Sequence, residues 1–101
     1  MAVGFVIEFT GVGQDKYRAV QKELGLDKKD GKWPDGIISH VAGKTANGWC
    51  VVDVWESEQA FRRFRENRLG PALGKVGGMP KPAVSMFTVF HRHPSDKFPS
   101  G

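Results

Sequence analysis

Val3–Thr10 is an apolar, β-rich run, apolar residues recur at helical spacing from Tyr17 to Leu24, and Trp49–Trp55 is a second β-rich run with two mostly apolar faces. Phe5, Ile7 and Phe9 fall on one face of a first strand, Val6 and Glu8 on the other, because successive strand side chains point to opposite sides. Gly11-Val12-Gly13 breaks this run. A helix starting at Asp15, or at Gln14, carries Tyr17, Val20 and Leu24 on one side and stops at Gly25. Leu26 to Gly36 is a polar loop closing in Trp33-Pro34-Asp35-Gly36. Ile37 to Gly43 reads as a second strand and Trp49 to Trp55 as a third. Between them Asn47-Gly48 is a strong hairpin signal within the Lys44–Gly48 loop. Ser57 caps a second helix with Phe61, Phe64, Leu69 and Leu73 on one side. Arg62, Arg63, Arg65 and Glu66 cover the rest as a solvated face. Gly70-Pro71 ends this helix or starts a further turn. After a Gly- and Pro-punctuated loop, Ala83 to Phe90 or His91 is a fourth strand.

The predicted order is β-α-β-β-α-β. Right-handed crossovers then give an α+β, ferredoxin-like fold: a four-stranded antiparallel sheet with two helices on one face. Residues 1–91 form the domain and 92–101 a polar tail, disordered or laid across a neighbour. The uncovered face is largely apolar, and a two-fold dimer is the simplest way to bury it.

The third strand is apolar on both faces, yet Asp53 stands on the same face as Trp49 and Trp55. A carboxylate there must be paired, hydrogen-bonded or functional. If Lys44 pairs with Trp49, His40 falls opposite Asp53 and Ile38 opposite Trp55. A slip of one residue would send His40 to the other face. A carboxylate bonded to one imidazole nitrogen fixes the tautomer and makes the other nitrogen a better base. In a dry apolar cavity such a base takes a proton from a phenol or carbon acid. The alternative is a mutually satisfied pair that holds the hairpin. Trp33 likewise has two readings, a lid residue over a binding site or a plug at the edge of the core.

Other candidate chemistry is thinner. His91 and His93 form an H-x-H pair without a third ligand nearby, so no metal is assigned; His91 instead rims the cavity as a further acid or base. Gly11-x-Gly13 lacks the third glycine of a dinucleotide loop, and Gly77-Gly78 lacks the Lys-Ser/Thr of a phosphate loop. At 101 residues the chain is one domain with a modest core. Fifteen Lys and Arg against eleven Asp and Glu give a net charge of +4, without the dense basic patch of a nucleic-acid binder. The single cysteine, Cys50, fits a reducing cytoplasm. Neither a signal peptide nor a membrane-spanning run is visible.

The strand order, the length, and WCVVDVWES running into FRRFRENRLGPAL resemble the dimeric α+β barrel superfamily, most of all its antibiotic biosynthesis monooxygenase-like group. The resemblance implies a homodimer whose sheets form a barrel, with a ligand cavity in each subunit. Its members include cofactor-independent monooxygenases, haem-degrading enzymes, polyketide cyclases and isomerases. The helix-borne histidine of the haem-degrading members has no counterpart in the second helix, and no motif matches Tyr17 to the cyclases' tyrosine. The expectation is therefore a homodimeric, cofactor-free enzyme acting on an aromatic or polyketide-like molecule. His40 and Asp53 carry the proton transfer, while Trp33, Trp49, Trp55, Tyr17, Phe64, Met86 and His91 contact the substrate. A non-catalytic binding or regulatory dimer is the alternative, and a barrel filled by its own side chains is the third reading. A pocket reaching His40 or Asp53 would favour the first two over the third.

Overall fold

The computed structural model describes residues 2–93. Its elements are β1 (Val3–Thr10), α1 (Gln14–Leu24), β2 (Ile37–Lys44), β3 (Gly48–Trp55), α2 (Glu58–Phe64), a π-helical turn (Arg65–Leu69), α3 (Gly70–Val76) and β4 (Ala83–Thr88). The strands form one antiparallel sheet in the order β2-β3-β1-β4. This is the expected ferredoxin-like arrangement. The predicted tail lies outside the described residues beyond His93.

Register builds the core. Phe5 lies opposite Asp53, Ile7 opposite Val51 and Phe9 opposite Trp49, so these side chains share one face. Phe5 stacks on Phe61 of α2 with ring centroids 4.0 Å apart. Trp55 is fully buried against Phe61 and Phe64, and burying an aromatic of this size contributes about 2–3 kcal/mol. The chain positions these helices with local signals. Gly25 ends α1 at φ 76°, a left-handed conformation that glycine adopts without strain. The Ser57 hydroxyl accepts the Ala60 amide at 3.1 Å and starts α2. Pro71 starts a further turn: it sits in the first turn of α3, where its missing N–H needs no partner.

Two expectations need correction. Ile37, not Ile38, lies opposite Trp55, because an irregularity between Ile37 and Ser39 adds a residue at the start of β2. Beyond it the pairing is as expected, with His40 opposite Asp53 and Lys44 opposite Trp49. β4 stops at Thr88 rather than at Phe90 or His91. Its partner there is Val3, the first residue of β1, and a further bond runs from the Val89 amide to the Ala2 carbonyl.

The β2–β3 hairpin is tight: Thr45 and Gly48 exchange backbone hydrogen bonds around Ala46-Asn47, and the Asn47 carbonyl accepts the Gly11 amide at 2.8 Å. A Cβ on Gly48 would stand 2.0 Å from the Phe9 carbonyl oxygen. Gly48→Ala must therefore push β1 from β3, and we expect it to cost about 1–3 kcal/mol, read as a lower urea midpoint at unchanged slope. Wild-type stability in this variant would refute the close approach.

The helices leave part of the sheet open. Val6, Val52 and Val54 point away from them, on the face of Val41 and Phe87, which are 66% and 47% exposed. β4 is exposed along its length. Among the described residues no helix is long and apolar enough to cross a membrane.

Candidate active site

Asp53 occupies the middle of β3, between Phe5 of β1 and His40 of β2. It is only 5% exposed, and two donors satisfy it. His40 Nδ1 lies 2.6 Å from Oδ1, and Trp55 Nε1 donates to Oδ2 at 3.3 Å. The carboxylate makes His40 Nδ1 the protonated nitrogen and leaves Nε2 as the acceptor. Nε2 is met by the Tyr17 hydroxyl at 2.6 Å. A continuous chain, Tyr17 O–H to His40 to Asp53, thus runs from α1 across two strands. Its members come from separate elements: helical spacing turns Tyr17 toward the sheet, and strand pairing sets His40 beside Asp53.

Burial, and then the negative charge of Asp53, push the Tyr17 hydroxyl above its ordinary value of 10.0. Tyr17 therefore stays protonated at neutral pH and donates to His40. It is the only tyrosine, so ultraviolet titration reports it alone. We expect a native midpoint above 10.0, falling back to about 10 in denaturant, and partly reduced in Asp53→Asn. The group's contribution to stability is complete below the unfolded value and is lost as pH rises through the native one. A native midpoint at the ordinary value would contradict the buried hydrogen bond.

The chain borders an apolar cavity of about 70 Å³ between sheet and helices. Of the residues expected to contact substrate, Tyr17, Trp33, Trp49 and Phe64 line it, together with His40 and Asp53. Trp33 is at the rim, 40% exposed with its ring 5.1 Å from His40. Trp49 tilts against Tyr17 at 5.2 Å, and its buried Nε1 has no hydrogen-bond partner among the described residues.

The other three expected contacts fall elsewhere. Trp55 is absent from the wall; it lies behind Asp53 and supports the carboxylate. Met86 shares the helix-side face, opposite Phe5, but on the exposed edge strand beyond the cavity. His91 follows the end of β4 and is exposed outside it. Sequence reasoning missed Leu69, Leu73 and Met79 as wall residues, and missed Tyr17 as the partner of His40. The apolar spacing of the second helix marked the two leucines, and the position of Tyr17 on the apolar side of α1 was the available signal for the hydroxyl.

No family model and no curated protein match the chain in sequence. Solved structures do match in fold. SnoaB, a cofactor-independent oxygenase from Streptomyces nogalater, is similar with a TM-score of 0.65 at 19% identity, over 93% of this chain and 98% of that one. A monooxygenase from the ActVA-Orf6 gene of Streptomyces coelicolor, solved with nanaomycin D, gives 0.56 at 23% identity over 90% and 88%. A dimeric ferredoxin-like protein from Thermobifida fusca gives 0.61 at 16% identity over 88% and 92%. The chain shares the ferredoxin-like fold of these structures.

Proposed function

We propose that this chain is a cofactor-independent monooxygenase acting on a phenolic or polyketide-like aromatic molecule. The observation that carries the reading is the Tyr17–His40–Asp53 chain against an apolar cavity. Flat apolar ligands suit walls of tryptophan and phenylalanine. Fold-level likeness to SnoaB and to the ActVA-Orf6 product supports the same class, as analogy.

The proton path follows from the bond order. Tyr17 occupies His40 Nε2, so a substrate hydroxyl reaches Tyr17 first. The substrate proton passes to the Tyr17 oxygen while Tyr17's own proton passes to Nε2. Asp53 then faces an imidazolium, which it stabilises by charge. The phenolate left in the cavity is electron-rich at its ring carbon and combines there with dioxygen. Loss of water from the resulting peroxide gives a quinone, so one phenol and one dioxygen yield one quinone and one water.

The working unit is proposed to be a homodimer. Val41 and Phe87 belong to an exposed apolar face that a second sheet would cover. Aerobic turnover of 1-naphthol tests the function: the expected result is one dioxygen consumed per naphthoquinone formed. A naphthol that binds but is never consumed in air would instead favour the non-catalytic binding dimer.

A further inference from the structure

The cavity beside Tyr17 is small for its proposed task. Its 70 Å³ falls well below the roughly 300 Å³ at which ligand pockets usually begin. A second depression adjoins it. This groove, about 280 Å³ in volume, shares Trp33, Pro34 and Phe64 with the cavity wall. Together the two spaces reach the size of an ordinary ligand site. The wall between them consists of side chains at the rim, with Trp33 already 40% exposed.

The two spaces differ in chemistry. The cavity is walled by aromatic and aliphatic groups around one polar chain. The groove carries Lys32, Arg63 and Arg68 against a single acid, Asp35. Arg68 is committed: its guanidinium donates to the Leu24 carbonyl at 3.0 Å and lies 5.7 Å from the centre of the Phe64 ring. The Arg63 and Lys32 side chains have no ion-pair or hydrogen-bond partner among the described residues, while the Lys32 carbonyl accepts from Arg68 at 3.4 Å. The neighbouring Arg62, by contrast, pairs with Glu58 at 2.9 Å. Two uncommitted cations thus stand beside the mouth of an apolar cavity, and a cationic groove beside an aromatic slot selects for a ring with an anionic arm.

We propose that cavity and groove are one bipartite site and that the substrate is an aromatic carboxylate. The hydroxylated end of the ring enters beside Tyr17, and the carboxylate lies in the groove against Arg63 and Lys32. Trp33 and Phe64 part to admit the ring between them. This rests on the reading of the cavity as a site for a phenolic ring.

Equilibrium binding separates the two claims without any turnover. 6-Hydroxy-2-naphthoate carries the carboxylate at the far end from the hydroxyl, and 2-naphthol lacks it. Titrated into the full chain at low salt, the naphthoate should bind about tenfold more tightly than the naphthol, and raising salt should narrow the gap. The Lys32→Gln/Arg63→Gln variant should lose the preference while keeping its affinity for naphthol. His40→Gln should keep the preference. Equal affinities for the two ligands in the wild type, or a preference that survives in the double variant, would overturn the carboxylate assignment alone. Failure of both ligands to bind would overturn it together with the aromatic reading of the cavity. Both substituted residues are exposed, and an unchanged melting temperature would confirm that the variant is folded.

Discussion

His40→Ala will lower turnover of a bound phenol by about 10²–10⁴-fold, the usual contribution of a positioned acid–base group. The variant removes the only acceptor of the Tyr17 proton that the described residues supply. Tyr17 alone cannot replace it, because burial and Asp53 hold its hydroxyl protonated. Ligand affinity should change little, since the cavity walls are mostly apolar and remain in place. The signature is therefore a fall in kcat with KM nearly preserved, and partial recovery when free imidazole fills the space. Tyr17→Phe should be milder. It removes one link but uncovers Nε2, which a substrate hydroxyl can then approach directly. A His40→Ala enzyme with full turnover would end the assignment of the base.

Asp53→Ala will cost about 2–4 kcal/mol of stability, the largest single-site effect expected in the sheet. It strands two buried donors at once, His40 Nδ1 and Trp55 Nε1. Neither can turn to solvent readily, as Trp55 is fully buried and the His40 side chain is 18% exposed. In a domain of this size that loss should lower the melting temperature by about 8–32 °C. Asp53→Asn should be less severe, because its carbonyl can still accept one of the two donors while its amide faces the other. If Asp53→Ala unfolds at the wild-type midpoint, the carboxylate is not the structural centre of the site. Comparing the two variants also separates support from catalysis: Asp53→Asn should retain the fold yet lose charge stabilisation of the imidazolium.

Strand 3 made much of this legible in the sequence. Side-chain alternation placed Asp53 on the face of Trp49 and Trp55, and Asn47-Gly48 marked the hairpin, but a slip of one residue remained open and only the observed pairing sets His40 beside Asp53. The extra residue near Ile38 was not legible. Both its neighbours suit a strand, and only the pairing of the two chains reveals an added residue. Tyr17 was readable as sheet-facing, but the residue it meets depends on how far α1 slides across the sheet, which periodicity does not encode. Met86 illustrates the reverse case. Alternation gave its face correctly, yet the edge strand runs beyond the cavity, so the right face is not the right place. The π-helical turn at Arg65–Leu69 left no signature in the apolar spacing, although Gly70-Pro71 marked where the helix resumes.

In the proposed reaction Tyr17 and His40 take a proton from a bound phenol. Anaerobic difference spectroscopy of 1-naphthol with the protein at pH 7 tests it most directly, because without dioxygen the reaction halts after proton transfer. The wild type should give a naphtholate band, and His40→Ala should lose it. A naphthol that remains neutral when bound to the wild type, or an identical naphtholate band in His40→Ala, would contradict it.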